Sequence, residues 1–176
     1  MKIEGRETVK SDAARVWEAL DGTDAYKACM PAITRLNAVS PDLREATIDL
    51  KLPAISGVFD GSIEILERDQ PRRVQLRIEG SGKPGVLNGT AEIVLQTVPG
   101  GTQISYSADV QVGGQIARLG QRLIGAAARE MAVEFFGNLD TYLGTGDSVS
   151  AGNPFVRLFS LMWRTLRGLF RRHRRD

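Results

Sequence analysis

The sequence predicts an α+β fold in which a curved antiparallel sheet is covered by one long helix. Several segments alternate between apolar and polar residues with a period of two, which is typical of strands that bury one face. After Gly113-Gly114 the period changes to that of an amphipathic helix. Because the sheet has an apolar face to bury, a long helix is expected to lie against it. If the sheet curls away from that helix, a hydrophobic cavity remains between them.

The N-terminal part predicts a strand over residues 2–10, followed by two short helices. Ser11 is a suitable N-cap for the first helix, and Gly22 ends it. The segment TDAYKACMP predicts the second helix, which stops before Pro31 because proline restricts the residue that precedes it.

The middle of the chain predicts a series of strands. Five alternating segments span residues 44–52, 59–66, 73–80, 89–98 and 102–112. Short turn signals, including Pro99-Gly100-Gly101, separate them and favour antiparallel connections. The glycine-rich stretch at 80–85 lacks the Gly-Lys-Ser/Thr of a phosphate-binding loop, because Pro84 follows Lys83. We expect it to form a mobile hairpin loop.

Residues 115–143 predict a single long helix. Its apolar stripe consists of Ile116, Leu119, Leu123, Ala127, Met131, Phe135 and Leu139. The predicted organisation is therefore a domain over residues 1–143, a flexible glycine-rich linker over 144–153, and a further helix over 154–176. Asn153 is placed to cap that last helix, with Pro154 at its first position.

Alternation and helix spacing also predict which side chains would line a cavity. The candidates are Phe59, Ile63, Leu76, Ile78, Ile93, Tyr106, Leu119, Leu123 and Met131. Ordinary core packing is the alternative for each of them. Tyr106 is the one polar-tipped side chain predicted to face the interior, where its hydroxyl is suited to a ligand carbonyl or to a core hydrogen bond.

The sequence offers little for catalysis. His173 is the only histidine, so neither a serine nor Cys29 has a histidine base in the body of the chain. No cluster of residues has metal-ligand spacing. Asp60, Glu64 and Asp109 fall on the outward side of their strands, where solvated side chains are expected. We therefore predict no catalytic residues, no metal site and no enzymatic activity.

Charge is distributed unevenly along the chain. The net charge is +2, but the residues from Gly144 onward contain seven arginines and two aspartates, which gives +5 and leaves −3 for the rest. The single cysteine excludes an intramolecular disulfide and fits a reducing compartment. Neither a secretory signal nor a stretch long enough to span a membrane is visible.

The last 22 residues, FVRLFSLMWRTLRGLFRRHRRD, predict a helix that lies in the plane of a membrane surface. Its apolar face consists of Phe155, Leu158, Phe159, Met162, Trp163, Leu166 and Phe170. Its basic residues include Arg164, Arg167, Arg171 and Arg172. Apolar and arginine faces on opposite sides are typical of interfacial helices that bind anionic lipid. Docking on a protein is the alternative, and nucleic acid fits least because the apolar face is large and the body is acidic.

Four segments of the chain resemble the carbon monoxide dehydrogenase G-subunit family. They are KACMPAI (27–33), FDGSIEI (59–65), GKPGVLNGTAEIVL (82–95) and ADVQVGGQIARLGQRLIGAAAREMAVEFFGNL (108–139). The resemblance covers nearly all of residues 1–143. It implies the helix-grip fold of START domains, polyketide cyclases and plant allergens, with a ligand cavity between sheet and helix.

The resemblance also implies a function. Members of the family are expected to bind a respiratory quinone, menaquinone or ubiquinone, and to link a molybdenum hydroxylase of the carbon monoxide dehydrogenase type to the membrane. The protein would have no cofactor of its own and would be cytoplasmic, peripheral on the inner face of the cell membrane. The alternatives are a recruitment or assembly factor that carries no ligand, and a cyclase-like enzyme.

Overall fold

The computed structural model describes residues 1–52 and 55–145, which form one antiparallel sheet and a set of helices. The strands are β1 (Lys2–Val9), β2 (Ile33–Ala38), β3 (Leu43–Lys51), β4 (Ser56–Asp69), β5 (Arg73–Gly82), β6 (Gly85–Val98) and β7 (Gly101–Gly113). The helices are α1 (Ala13–Asp21), α2 (Asp24–Cys29) and α3 (Gln121–Thr145), with a 3-10 helix at Ile116–Leu119.

The sheet is curved and has the order β1-β7-β6-β5-β4-β3-β2. All of its pairs are antiparallel, and the first strand, β1, forms one edge by pairing with the last strand, β7. The α+β class and the helix-grip arrangement are thus confirmed. Strand β2 was not predicted, because only Leu36 of its six residues is buried and the alternation is weak.

Helices α1 and α2 follow β1 as predicted, but the cap of α1 differs. Asp12 is the N-cap, and its Oδ1 accepts a hydrogen bond of 3.0 Å from the backbone N–H of Arg15. Ser11 is instead buried, and its carbonyl accepts a hydrogen bond of 2.7 Å from the Thr102 hydroxyl. The carboxylate of Asp12, and not the hydroxyl of Ser11, therefore accepts the hydrogen bond from the first turn of α1.

The prediction of one continuous helix over residues 115–143 is wrong at Gly120. This residue ends the 3-10 helix with φ of 82°, a left-handed conformation that glycine adopts without strain. Helix α3 begins directly afterwards, so the helical phase changes at the break. Within α3 the predicted stripe also drifts, because steps of four residues overshoot a turn of 3.6 residues and leave Leu123 about 160° from Leu139. Leu123 is accordingly 43% exposed, whereas its neighbour Ile124 is only 7% exposed. Leu123 does not face the sheet, in contrast to the predicted stripe.

The glycine-rich stretch at 80–85 is also more regular than expected. Strand β5 continues to Gly82 and β6 starts at Gly85, and these two residues pair across a two-residue turn. A side chain at Gly85 would collide with the carbonyl oxygen of Gly113, so glycine allows this close approach. The carbonyl of Pro84 accepts a hydrogen bond of 2.9 Å from the backbone N–H of Ile116, which ties the turn to the 3-10 helix.

The core has two parts, one at each end of α3. The larger cluster joins β1, α1, α2 and the second half of α3, and its most deeply buried members include Val9, Val16, Ile104 and Leu139. The smaller cluster consists of Ile55, Ile116 and Ile124 near the start of α3. The backbone of α3 comes closest to β1 and α2.

The predicted linker and tail helix lie outside the described residues, apart from the end of α3. Helix α3 continues to Thr145, two residues past the predicted domain boundary at 143. The membrane-binding residues predicted between Phe155 and Arg172 stay predictions from the sequence.

Candidate functional site

The inner face of the sheet, which faces the helices, carries a small apolar pocket beneath α1 and α2. Its volume is about 30 Å³. It is lined by Trp17, Leu20, Asp21, Tyr26, Arg44, Ile63, Ile65, Val74, Leu76, Ile93 and Leu95. A volume of this size holds a water molecule or a single oxygen atom of a ligand, not a ring. Any larger ligand therefore requires the sheet and the helices to move apart.

The predicted lining residues do not all lie together. Ile63, Leu76 and Ile93 line the pocket. Phe59 and Leu119 pack against the smaller core cluster, and Tyr106 packs against the larger one. Ile78 and Met131 are half-buried, and Ile78 lies beside Ile63 in the sheet register. Leu123 is exposed, so it does not belong to the inner face.

Tyr106 faces inward, as predicted, and is held by its neighbours. Its ring stacks on Phe136 of α3 with 5.7 Å between the centroids. It also covers Gly5 of β1 so closely that any side chain there would overlap the tyrosine hydroxyl. Burial, together with the carboxylate of Glu7, raises the pKa of Tyr106. Tyr106 therefore packs between β1 and α3.

Arg44 is one of the pocket residues that were not predicted from the sequence. It lies on β3 with Ile63 of β4 as its cross-strand partner, so it points to the inner face. The residue is only 8% exposed. The signal was present, because Arg44 shares its side of the strand with the apolar Ala46 and Ile48. A charge on the apolar side of an alternating strand is exceptional and marks a site worth testing.

The guanidinium of Arg44 is held from one side by the end of α1. Its Nη2 donates a hydrogen bond to the backbone carbonyl of Asp21 and lies 3.3 Å from the carboxylate of the same residue. Arg68 also reaches that carboxylate at 3.3 Å, and its Nη1 lies 3.2 Å from Asp42. Two arginines and two aspartates thus form a cluster without net charge at one end of the apolar pocket.

One donor in this cluster has no acceptor. Among the side-chain atoms that the structure describes, Nε of Arg44 is the buried polar atom without a hydrogen-bond partner. A buried N–H of a charged group that stays unpaired is costly, so such groups are rare in folded proteins. The unpaired Nε belongs to a residue that lines the pocket.

Tyr26 lies in the same pocket and stacks on Phe135 of α3, with 5.4 Å between the ring centroids. Burial raises the pKa of Tyr26 to about 12, while the nearby Arg44 opposes the shift and Asp21 adds to it. The hydroxyl therefore keeps its proton at neutral pH and remains able to donate a hydrogen bond.

The outer face of the sheet has a much larger groove, of about 920 Å³. It is lined mainly by polar side chains of β2 to β7. Arg35 lies 3.9 Å from Asp60, which accepts a hydrogen bond of 2.6 Å from the Thr47 hydroxyl. Asp60 and Asp109 are exposed there, and Glu64 is bound by Arg77, as expected for outward positions.

Neither a metal site nor a membrane-spanning helix is found in the described part of the chain. Residues 1–52 and 55–145 contain no group of three or more histidine, cysteine, aspartate or glutamate side chains that could hold a metal ion. Within the same ranges, no helix is long and apolar enough to cross a membrane.

The chain matches the family model of CoxG, the G subunit of carbon monoxide dehydrogenase, over residues 5–144. The chain belongs to this family. The match covers β1 to α3 almost completely and confirms the resemblance found in the sequence. None of the curated proteins matches the chain significantly.

Solved structures confirm the fold of this CoxG family member. A conserved protein from Geobacillus kaustophilus is 26% identical, with a TM-score of 0.77 over 82% of this chain and 95% of the other. A START superfamily protein from Mycobacterium smegmatis is 11% identical, with a TM-score of 0.66 over 83% and 99%. A Rhodobacter sphaeroides protein is 17% identical, with a TM-score of 0.61 over 83% and 93%. The fold is therefore START-like.

Proposed function

We propose that this protein is a non-catalytic carrier that holds a hydrophobic ligand, a respiratory quinone, between the inner face of its sheet and its helices. The supporting observation is the inner-face pocket, which combines apolar walls with a few polar groups at one end. That combination is typical of small-molecule sites. Membership of the family, whose name refers to carbon monoxide dehydrogenase, supports a molybdenum hydroxylase of that type as the partner.

Carriage is physically reasonable for such a ligand. Burial of each methylene-sized unit of an isoprenoid chain recovers about 0.8 kcal/mol, so a lined cavity can compete with lipid. The half-buried Ile78 lies beside the pocket residue Ile63 and supplies further apolar surface there. Because the pocket of about 30 Å³ is too small for a quinone ring, uptake must widen it.

The proposed carrier works at a membrane, where its tail holds it. The arginine-rich amphipathic sequence after Asn153 supports attachment to the anionic inner face of the cell membrane. We expect co-sedimentation with vesicles that contain anionic lipid, and loss of most of that binding when residues 153–176 are removed. Vesicles of neutral lipid are the control. Equal pelleting of both forms with anionic vesicles would contradict the anchor.

A ligand-free recruitment factor is the second candidate, and the small volume of the pocket favours it. The two functions differ in a transfer experiment with quinone-loaded vesicles. A carrier removes quinone from the vesicles into the soluble fraction in proportion to the protein added. A recruitment factor binds the molybdenum hydroxylase and the vesicles but leaves the soluble fraction free of quinone.

A further inference from the structure

The polar end of the inner-face pocket contains a donor arrangement that ordinary packing does not explain. Arg44 is only 8% exposed, and its Nη2 is fixed by Asp21 at the end of α1. The same guanidinium leaves Nε unpaired. The contact with Asp21 uses Nη2, so Nε is a buried donor for which the described residues supply no acceptor.

We propose that Nε of Arg44 is the recognition group of the pocket and donates a hydrogen bond to a neutral carbonyl oxygen of the hydrophobic ligand. This inference rests on the proposed function, because it requires that an apolar ligand enters the pocket. The pocket would then prefer an apolar molecule that has a carbonyl acceptor over a pure hydrocarbon.

The size of the pocket agrees with this role. Its volume of about 30 Å³ is that of one oxygen atom, and Arg44 is one of its lining residues. The ring or chain that carries the oxygen would lie along Ile63, Leu76 and Ile93, which form the sheet side of the pocket. Because Nε is shielded from solvent, the helices must move for the ligand to reach it.

The charges around the donor select a neutral acceptor. Arg44 and Arg68 are balanced by Asp21 and Asp42 within ion-pair distance, so the cluster has no excess positive charge. A carboxylate in the pocket would add an uncompensated buried charge, whereas a carbonyl would not. Tyr26 lines the same pocket, and its neutral hydroxyl is a second donor beside the charged guanidinium of Arg44.

The experiment uses three probes of similar shape. These are 2-methyl-1,4-naphthoquinone, 2-methylnaphthalene, which lacks both carbonyl oxygens, and 2-naphthoate, which has a carboxylate. Binding to the full-length protein is measured by equilibrium dialysis. We expect the quinone to bind roughly 10- to 100-fold more tightly than the hydrocarbon, the range of a hydrogen bond from a charged donor. The carboxylate should bind no more tightly than the quinone, and a carboxylate that binds more tightly would overturn the selection of a neutral acceptor.

Two substitutions of Arg44 remove the proposed donor in different ways. Arg44→Met removes the charge, and Arg44→Lys keeps a charge opposite Asp21 but has no N–H at the position of Nε. Both should bring quinone affinity down to that of the hydrocarbon and leave hydrocarbon affinity unchanged. Arg77→Met, which alters an exposed arginine of the outer face, is the matched control and should retain the preference.

The outcomes separate the inference from the function on which it depends. If the wild type binds quinone and hydrocarbon equally, a water molecule or nothing satisfies Nε, and the inference fails while carriage stands. If either Arg44 variant loses both probes equally, Arg44 only supports the fold, and the inference fails again. If the wild type binds none of the probes, both the carrier function and the inference are wrong.

Discussion

The two faces of the sheet differ in the chemistry of their cavities, and the larger cavity is not the better candidate for a ligand site. The outer groove measures about 920 Å³ and is lined mainly by exposed polar side chains, among which Arg35 and Asp60 lie 3.9 Å apart. The inner pocket measures about 30 Å³, yet it has apolar walls and a buried donor without an acceptor. The buried donor without an acceptor, and not the volume, therefore identifies the inner face as the candidate site. Three further experiments test this comparison, from the largest expected effect to the smallest.

The largest effect concerns the side of α3 that covers the inner face. Leu139 is fully buried in the main core cluster, so Leu139→Ala should lower the free energy of unfolding by about 2–5 kcal/mol. Leu123 lies on the same helix but is exposed, so Leu123→Ala should change it by no more than about 0.5 kcal/mol. Urea denaturation measures both. Equal losses would show that α3 covers the sheet with a different side.

The second effect concerns ligand binding on each face. Ile93→Phe adds volume to the inner pocket and should weaken quinone retention at least tenfold, with a loss of stability of about 1–3 kcal/mol from overpacking. Thr90→Phe adds the same ring to the outer groove from the same strand and should leave retention unchanged. Extraction of quinone from the purified variants measures the difference. The reverse result would move the ligand to the outer groove and break the comparison.

The smallest effect concerns the packing of α2 beside the pocket. Burial raises the pKa of the Cys29 thiol from 9.0 to about 11. Between these values the unfolded state releases the thiol proton and the folded state keeps it, so stability falls as the pH rises. Below pH 9 this contribution is fully present. We expect Cys29→Ala to be less stable than the wild type at neutral pH. Between pH 9 and 11, its free energy of unfolding, measured by urea titration, should fall less steeply than that of the wild type. Parallel declines would place the thiol in solvent.

The sequence predicted those parts of the fold that depend on regular patterns. Alternation located five strands because each buries one face, and helical spacing located α3 because it covers them. The break at Gly120 was missed because a left-handed glycine leaves no periodic signal. Leu123 was wrongly placed on the inner face because repeated steps of four residues drift around a helix of 3.6 residues per turn. A hairpin at 80–85 was predicted, but as a mobile loop and not as a two-residue turn, because a glycine-rich composition resembles that of a loop.

The candidate site was predicted only in part, for a related reason. Ile63, Leu76 and Ile93 were found because apolar residues on one side of a strand point to the interior. The helical half of the pocket, with Trp17 and Tyr26, depends on how α1 and α2 fold back over the sheet. No local pattern contains that information. Arg44 could have been found as a charge in an apolar row, but only the structure shows that its Nε is unpaired.

The central claim is that the inner face holds a hydrophobic ligand, and native mass spectrometry of protein purified gently from its own host tests it most directly. The account predicts an added mass that organic extraction removes and that corresponds to an apolar molecule with a carbonyl group. The same preparation of Ile93→Phe should lack it. Wild-type protein that never carries quinone or another lipid under these conditions would contradict the account.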